Sequence, residues 1–325
     1  MHEKLIKSGK RRSLFNADAS TVVPVEIVVP ELERMLPHRD PFRFVDGIDA
    51  VCLSGGSAFG LAAADGVASG LKQEGRGFAL VPLTSVPRTP IVPAAILYDL
   101  SNGGDKDWGK YPPYRELGYE AAQNADTEFG LGSFGAGTGA LTGGPGPGLK
   151  GGLGSASTLL DNGITIGALV AVNALGAPTI GDNSHFWAAP FEMGDEFGGL
   201  GPSPGSPLES SAIRIKFRDQ QSQGANTTIG IIATDAKLTK GEANRLAIAA
   251  HDGFARALWP AHTPLDGDLI FSIATGAAGP PSGLDDTIDL SAIAASTMSR
   301  AIARGVYSAE AADGDLFPTW RDAFA

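Results

Sequence analysis

The chain predicts an α+β fold in which two packed sheets are flanked by helices. Apolar strands alternate with amphipathic helical stretches along most of its length, and long helical patterns follow the β-branched run that starts near residue 227. Glycine is 44 of 325 residues, almost twice the usual share, while the 43% hydrophobic content is ordinary. With apolar strands between them throughout, these glycines mark turns and close backbone approaches rather than disorder.

Taken in order, the first element is a short apolar strand at Val51, then Ser54-Gly55-Gly56 turning into a helix over about 58–73 that Gly75 ends. A serine-hydrolase elbow needs Gly-x-Ser-x-Gly, and Phe59 breaks that spacing, so Ser57 reads as a helix-start residue. Residues 90–97 read as a strand with prolines at its edges, delivering Tyr98 at its end. A helix is expected over about 114–124, and the glycine-rich run 130–154 reads as a close-packed turn feeding a strand. Its phosphate-loop reading fails, because Leu149 separates Gly148 from Lys150 and Pro145 and Pro147 remove donors. Residues 164–173 form an almost wholly apolar strand ending in Asn173. A surface excursion over 181–211 carries His185, Trp187 and Phe191, which either line a substrate mouth or pin the loop. A strand is expected over 213–217. Thr239 and Glu242 form a capping box for a helix with Leu246, Ala250, Phe254 and Leu258 on one stripe, with His251 beside it as a structural residue. Asp266 and Asp268 sit in a turn before a strand over 269–274, and a last helix over about 290–304 stops at Gly305.

Composition excludes several functions. A net charge of −11 argues against a nucleic-acid partner, and the basic cluster Lys4 to Arg12 reads as a solvated terminus. Cys52 is alone, which rules out an intrachain disulfide, fits a reducing compartment and suits core packing. Pro24 and Glu26 interrupt the apolar stretch Val22 to Pro30, and no run of 18 apolar residues exists, so a soluble, cytoplasmic protein without a membrane partner is expected. His2, His38, His185, His251 and His262 show no ligand spacing, and neither a metal nor a cofactor is implied.

The centre of the chain is Gly224-Ala225-Asn226-Thr227-Thr228-Ile229-Gly230, where a polar run meets a buried strand. A threonine hydroxyl is a poor nucleophile unless a base activates it, and one such base is a free α-amine on the same residue. That amine requires a cut between Asn226 and Thr227. By themselves these residues also read as a polar turn before an ordinary strand.

Together with His262-Thr263-Pro264-Leu265-Asp266-Gly267-Asp268, the Asn226-Thr227-Thr228 run resembles the DmpA-type self-cleaving aminopeptidases. Further matches are Leu53-Ser54-Gly55-Gly56-Ser57-Ala58-Phe59-Gly60-Leu61, Pro90 through Asp99, and Gly135-Ala136-Gly137-Thr138-Gly139 with Leu149-Lys150-Gly151-Gly152-Leu153-Gly154. The resemblance implies a four-layer αββα sandwich of N-terminal-nucleophile type, autocleavage at 226/227, and a homo-oligomer, tetramer or larger. It implies that Thr227 is the nucleophile, that Asp266 and Asp268 contact its amine and hydroxyl, and that Lys150 faces it. Asn173 would stabilise the oxyanion and Tyr98 would lie in the cleft. Small peptide-like or amino-acyl substrates follow, including ω-amino acid oligomers. Residues 1–48 depart from the pattern: Glu33 through Asp46 resembles the start of hotdog-fold hydroxyacyl-carrier-protein dehydratases, without that family's catalytic His segment. Residues 49–325 are therefore read as the hydrolase domain, with an uncleaved, inactive oligomeric scaffold as the alternative if the altered start blocks maturation.

Overall fold

A computed structural model describes residues 47–79, 85–205, 212–217 and 226–324. The basic cluster and the dehydratase-like start lie outside the described residues. The expected four layers are present within them. The main sheet runs β5 (Gly152–Leu159), β6 (Thr165–Asn173), β7 (Thr227–Ala236) and β8 (Leu269–Gly279), in that order. Its first two pairings are antiparallel, while β7 and β8 are parallel and joined by the crossover helix α3 (Lys240–Ala257).

Strand periodicity sorts the two faces of this sheet. Even-numbered residues such as Ile166, Val170, Ile232 and Ile270 pack against α3 and α4 (Leu284–Tyr307), where Leu246, Phe254, Met298 and Ile302 complete a core. Odd-numbered residues Ala171, Ile229, Ile231, Ala233 and Phe271 face the other way, against Ala95 and Leu97. Ala95 belongs to, and Leu97 directly follows, a strand of a small second sheet, β1 (Cys52–Ser54) paired in parallel with β2 (Ala94–Ile96). Helices α1 (Ala62–Gln73) and α2 (Tyr114–Gln123) cover its outer side, where Cys52, Ala63, Val67 and Leu71 form a third core. Three apolar interlayers thus separate helices, sheet, sheet and helices. Burial pushes the Cys52 thiol up to about 11, in keeping with packing rather than reactivity.

Several local expectations change. The first helix opens as a 3-10 turn over Ser57–Leu61 before becoming α-helical at Ala62. The strand expected over 90–97 shortens to β2. No strand forms over 213–217, where a single bridge joins Ile215 to Gly176 and Phe217 turns through a φ of 60°. The last helix does not stop at Gly305 but runs on to Tyr307, because that glycine serves packing. A Cβ on Gly154 would stand 1.9 Å from the Ala301 carbonyl, and one on Gly305 would stand 2.9 Å from the Gly154 nitrogen.

The glycine-rich run holds two short strands, β3 (Leu141–Thr142) and β4 (Leu149–Lys150), paired with each other ahead of β5. Thr239 and Glu242 make the capping box on α3. The excursion after β6 is pinned by Arg256 over Phe191 and by Trp187 against Trp259, and is tied within itself by His185 Nδ1, 2.9 Å from the Gly201 carbonyl. Pinning therefore accounts for His185, Trp187 and Phe191. A tail helix, α5 (Trp320–Phe324), adds Trp320 stacked on Phe186.

Candidate active site at the head of strand β7

Thr227 is the first residue of β7 and lies opposite Asn173, the last residue of β6. Both are odd-numbered, so both fall on the face between the sheets. Thr227 is 8% exposed, sheltered yet reachable. Just before it, Asn226 bridges in parallel to Asp266: its N–H donates to the Leu265 carbonyl at 2.9 Å, and its carbonyl accepts the Gly267 N–H at 2.7 Å. A Cβ added to Gly267 would come 3.4 Å from Thr227 Oγ1, so the loop backbone lies against the hydroxyl.

The two acids of this loop do different work. Asp268 Oδ1 accepts the Thr228 N–H at 2.9 Å and its Oδ2 is 2.9 Å from His262 Nδ1, with 5% of the side chain exposed. Asp266 accepts the N–H of Thr263 at 2.8 Å and of Leu175 at 3.4 Å. Burial, and then repulsion from Asp268, raise its carboxyl above the ordinary carboxylate range. That shift makes Asp266 a better proton acceptor than an ordinary carboxylate.

Asn173 is held in one orientation. Its Oδ1 accepts from the Leu141 N–H at 3.0 Å and from Lys216 Nζ at 2.9 Å, so Nδ2 turns to donate to the Tyr98 carbonyl at 3.0 Å. Lys216 Nζ also donates to the carbonyls of Leu141 at 2.8 Å and Asn173 at 3.0 Å. Burial pulls this lysine down to about 7, against the attraction of Asp266 and Asp99.

A pocket beside Thr227 is lined by Tyr98, Asp99, Asn173, Lys216, Phe217 and Asn226, among others. The Tyr98 side chain is exposed at its rim. Asp99 is buried, accepts the Gly56 N–H at 2.7 Å, and is raised chiefly by that burial.

The contact that Lys150 makes is with an acid far along the chain. Its strand β4 directs the side chain to Asp315, 2.5 Å away, and the cation beside Asn173 is Lys216 instead. Sequence reasoning passed over Lys216, Asp99 and the contact of His262. The one available signal for Lys216 was a lysine between the apolar Ile215 and Phe217. Among the described residues no cluster of His, Cys, Asp or Glu could hold a metal, and no helix is long and apolar enough to cross a membrane.

A hydroxyl residue opening an inner strand of a four-layer αββα sandwich, with the carbonyl ahead of it already hydrogen-bonded, is the arrangement of N-terminal-nucleophile hydrolases. Comparisons agree with that class. The model of peptidase family S58 matches residues 40–316. An uncharacterized aminopeptidase of Mycobacterium tuberculosis is 40% identical over 295 residues, spanning 88% of this chain and 81% of its own length. The 6-aminohexanoate-oligomer endohydrolase of Kocuria sp. is 28% identical over 235 residues, 70% of this chain and 60% of its own. Among solved structures, an L-aminopeptidase D-Ala-esterase/amidase from Ochrobactrum anthropi aligns with a TM-score of 0.50 at 20% identity, covering 79% of this chain and 66% of that one. This chain belongs to peptidase family S58.

Proposed function

We propose that the protein is a self-processing aminopeptidase and amidohydrolase that acts through Thr227. The observation that carries this reading is the Gly267 N–H, 2.7 Å from the carbonyl of Asn226, the group that self-cleavage must attack. Thr227 Oγ1 adds to that carbonyl carbon, and its proton passes to the departing Thr227 nitrogen. The amide becomes an ester, which water hydrolyses to an Asn226 carboxylate, a free hydroxyl and a new N-terminus. Before the cut no α-amine exists, so another base is needed, and Asp266 with its raised carboxyl pKa supplies it. After the cut the amine titrates near about 7.7 to 8.0 and serves as base.

In turnover Thr227 attacks a substrate amide or ester, the amine or alcohol leaves, and water releases the acyl group. Asn173 donates to the oxyanion from the orientation that Lys216 imposes, and Tyr98 orients the substrate at the rim. Lys150, tied to Asp315, takes no direct part in this scheme. The substrates are small amino-acyl compounds: N-terminal amino acids, D- or β-amino acyl groups and ω-amino acid oligomers. The last of these is suggested by the relative named for 6-aminohexanoate oligomers. Residues 49–325 work as one domain cut into chains 1–226 and 227–325, in a cytoplasmic homo-oligomer of four subunits or more.

Denaturing electrophoresis and mass spectrometry of the purified protein test the reading. Two pieces meeting at 226/227, p-nitroanilide hydrolysis, and loss of both in Thr227→Ala are expected. A wild-type chain that stays whole and inert, or a Thr227→Ala chain that still cuts itself, would overturn it.

A further inference from the structure

We infer that His262 is a positioning residue of this site: its imidazole grips Asp268 and, through that carboxylate, fixes the backbone immediately after Thr227. The inference rests on Thr227 being the nucleophile.

The contacts form an unbroken chain. Asp268 has one oxygen on the Thr228 N–H and the other on His262 Nδ1, both at 2.9 Å. The carboxylate is almost fully enclosed, so water is a poor substitute for either partner. Behind it, the imidazole lies nearly parallel to Phe254 at 5.5 Å between centroids and 5.1 Å from the His251 ring, both carried by α3. The main chain of His251 also hydrogen-bonds the His262 ring, and hydrogen bonding to Asp268 is the largest influence favouring its cationic form. The charged and titratable groups around the ring are Asp268, Asp266 and His251, with Asp252 beside His251 on the same helix. Burial and then His262 pull His251 down to about 4, while His262, gripped by Asp268, is shifted the opposite way.

Its backbone φ of 54° also calls for a residue that accepts the left-handed region, which Asn does better than most. That makes His262→Asn an informative variant, because its carboxamide can donate to Asp268 from the same conformation. His262→Ala removes the donor. A loosened Asp268 frees the strand start by a fraction of an ångström or more, an error that costs on the order of 10- to 100-fold in a reaction needing aligned atoms.

The experiment measures self-cleavage half-time and p-nitroanilide kcat and KM for wild type, His262→Ala and His262→Asn, with thermal melting of each. Expected for His262→Ala is a fall of about 10- to 100-fold in both rates with KM nearly unchanged, and substantial recovery in His262→Asn. Unchanged rates in His262→Ala would overturn the role, as would equal losses in both variants with equally lowered melting, which would mean that the ring merely fills space. In uncut Thr227→Ala protein, the His262 titration followed by NMR must move to lower pH when Asp268→Asn is added. No movement would refute the grip itself, whatever the fate of the Thr227 reading, while an inert, uncut wild type would sink that reading and the positioning role with it.

Discussion

Replacing Lys216 with methionine should remove a specific pH dependence of stability. The ammonium sits wholly among protein atoms and its pKa falls to about 7, whereas an unfolded lysine titrates near about 10.4. Between those values the unfolded chain binds more protons than the folded one, so unfolding free energy rises with pH across this window. From pH 7 to pH 9 the gain is about 2 kcal/mol, and methionine, which cannot titrate, forgoes it. A cut enzyme does not unfold as a two-state chain, so both proteins should carry Thr227→Ala to keep the backbone whole. Urea unfolding followed by circular dichroism at the two pH values then gives a double difference in which other titrating groups cancel. Equal pH responses with and without Lys216 would show that the ammonium is solvated, and would remove the reason for placing it against Asn173. With Thr227 restored, Lys216→Met should also slow p-nitroanilide turnover by about 100-fold, since the carboxamide proposed to hold the oxyanion, Asn173, is then free to flip its donor away.

Three further outcomes follow from the geometry. Asp266 must be ionised to accept a proton, and its pKa is raised, so the self-cleavage rate should fall as pH drops through a value above the usual carboxylate range; time courses across pH should show that limb in wild type and lack it in Asp266→Asn. In Gly154→Ala the new methyl would meet the Ala301 carbonyl at 1.9 Å, backbone against backbone, and thermal melting should report a loss of about 3 kcal/mol or more. Arg300 is buried with its guanidinium on both oxygens of Glu196, at 2.5 and 2.9 Å, so Glu196→Ala strands a buried cation and should destabilise by about 3 to 5 kcal/mol in the same assay.

What could be read from the chain was what short spans encode. The capping box of α3 needs only Thr239 and Glu242, three residues apart, and the acid loop before β8 is spelled out in seven consecutive residues. Continuous apolar, β-branched runs marked the strands at 164–173 and from 227 onward, and the order of elements was enough for the layers. Other features depend on directions that no short span records. Lys216 reaches Asn173 because the segment carrying it abandons strand geometry and turns at Phe217. Lys150 matched a motif yet points to Asp315, more than 160 positions away in sequence. Gly305 looked like a helix stop because glycine ends helices as readily as it lets a helix approach a sheet. The choice between those roles lies in Gly152 and Gly154 on the facing strand.

Register, finally, decides which of two adjacent hydroxyls lies between the sheets. Thr227 and Thr228 are chemically equivalent in the sequence, but successive residues of a strand face opposite sides of its sheet. Pairing Thr227 with Asn173 puts its hydroxyl between the sheets, beside the pocket and the acid loop. Thr228 is consigned to the helical side, fully buried, its hydroxyl without a hydrogen-bond partner among the described residues. Asp268 reinforces this choice by accepting the Thr228 backbone N–H rather than its hydroxyl. A slip of one residue between β6 and β7 would exchange the two threonines and also invert every apolar contact of Ile229, Ile231 and Ala233. The hydrophobic pattern of β7 therefore selects between the two hydroxyls: the burial that fixes the strand also fixes which threonine lies between the sheets.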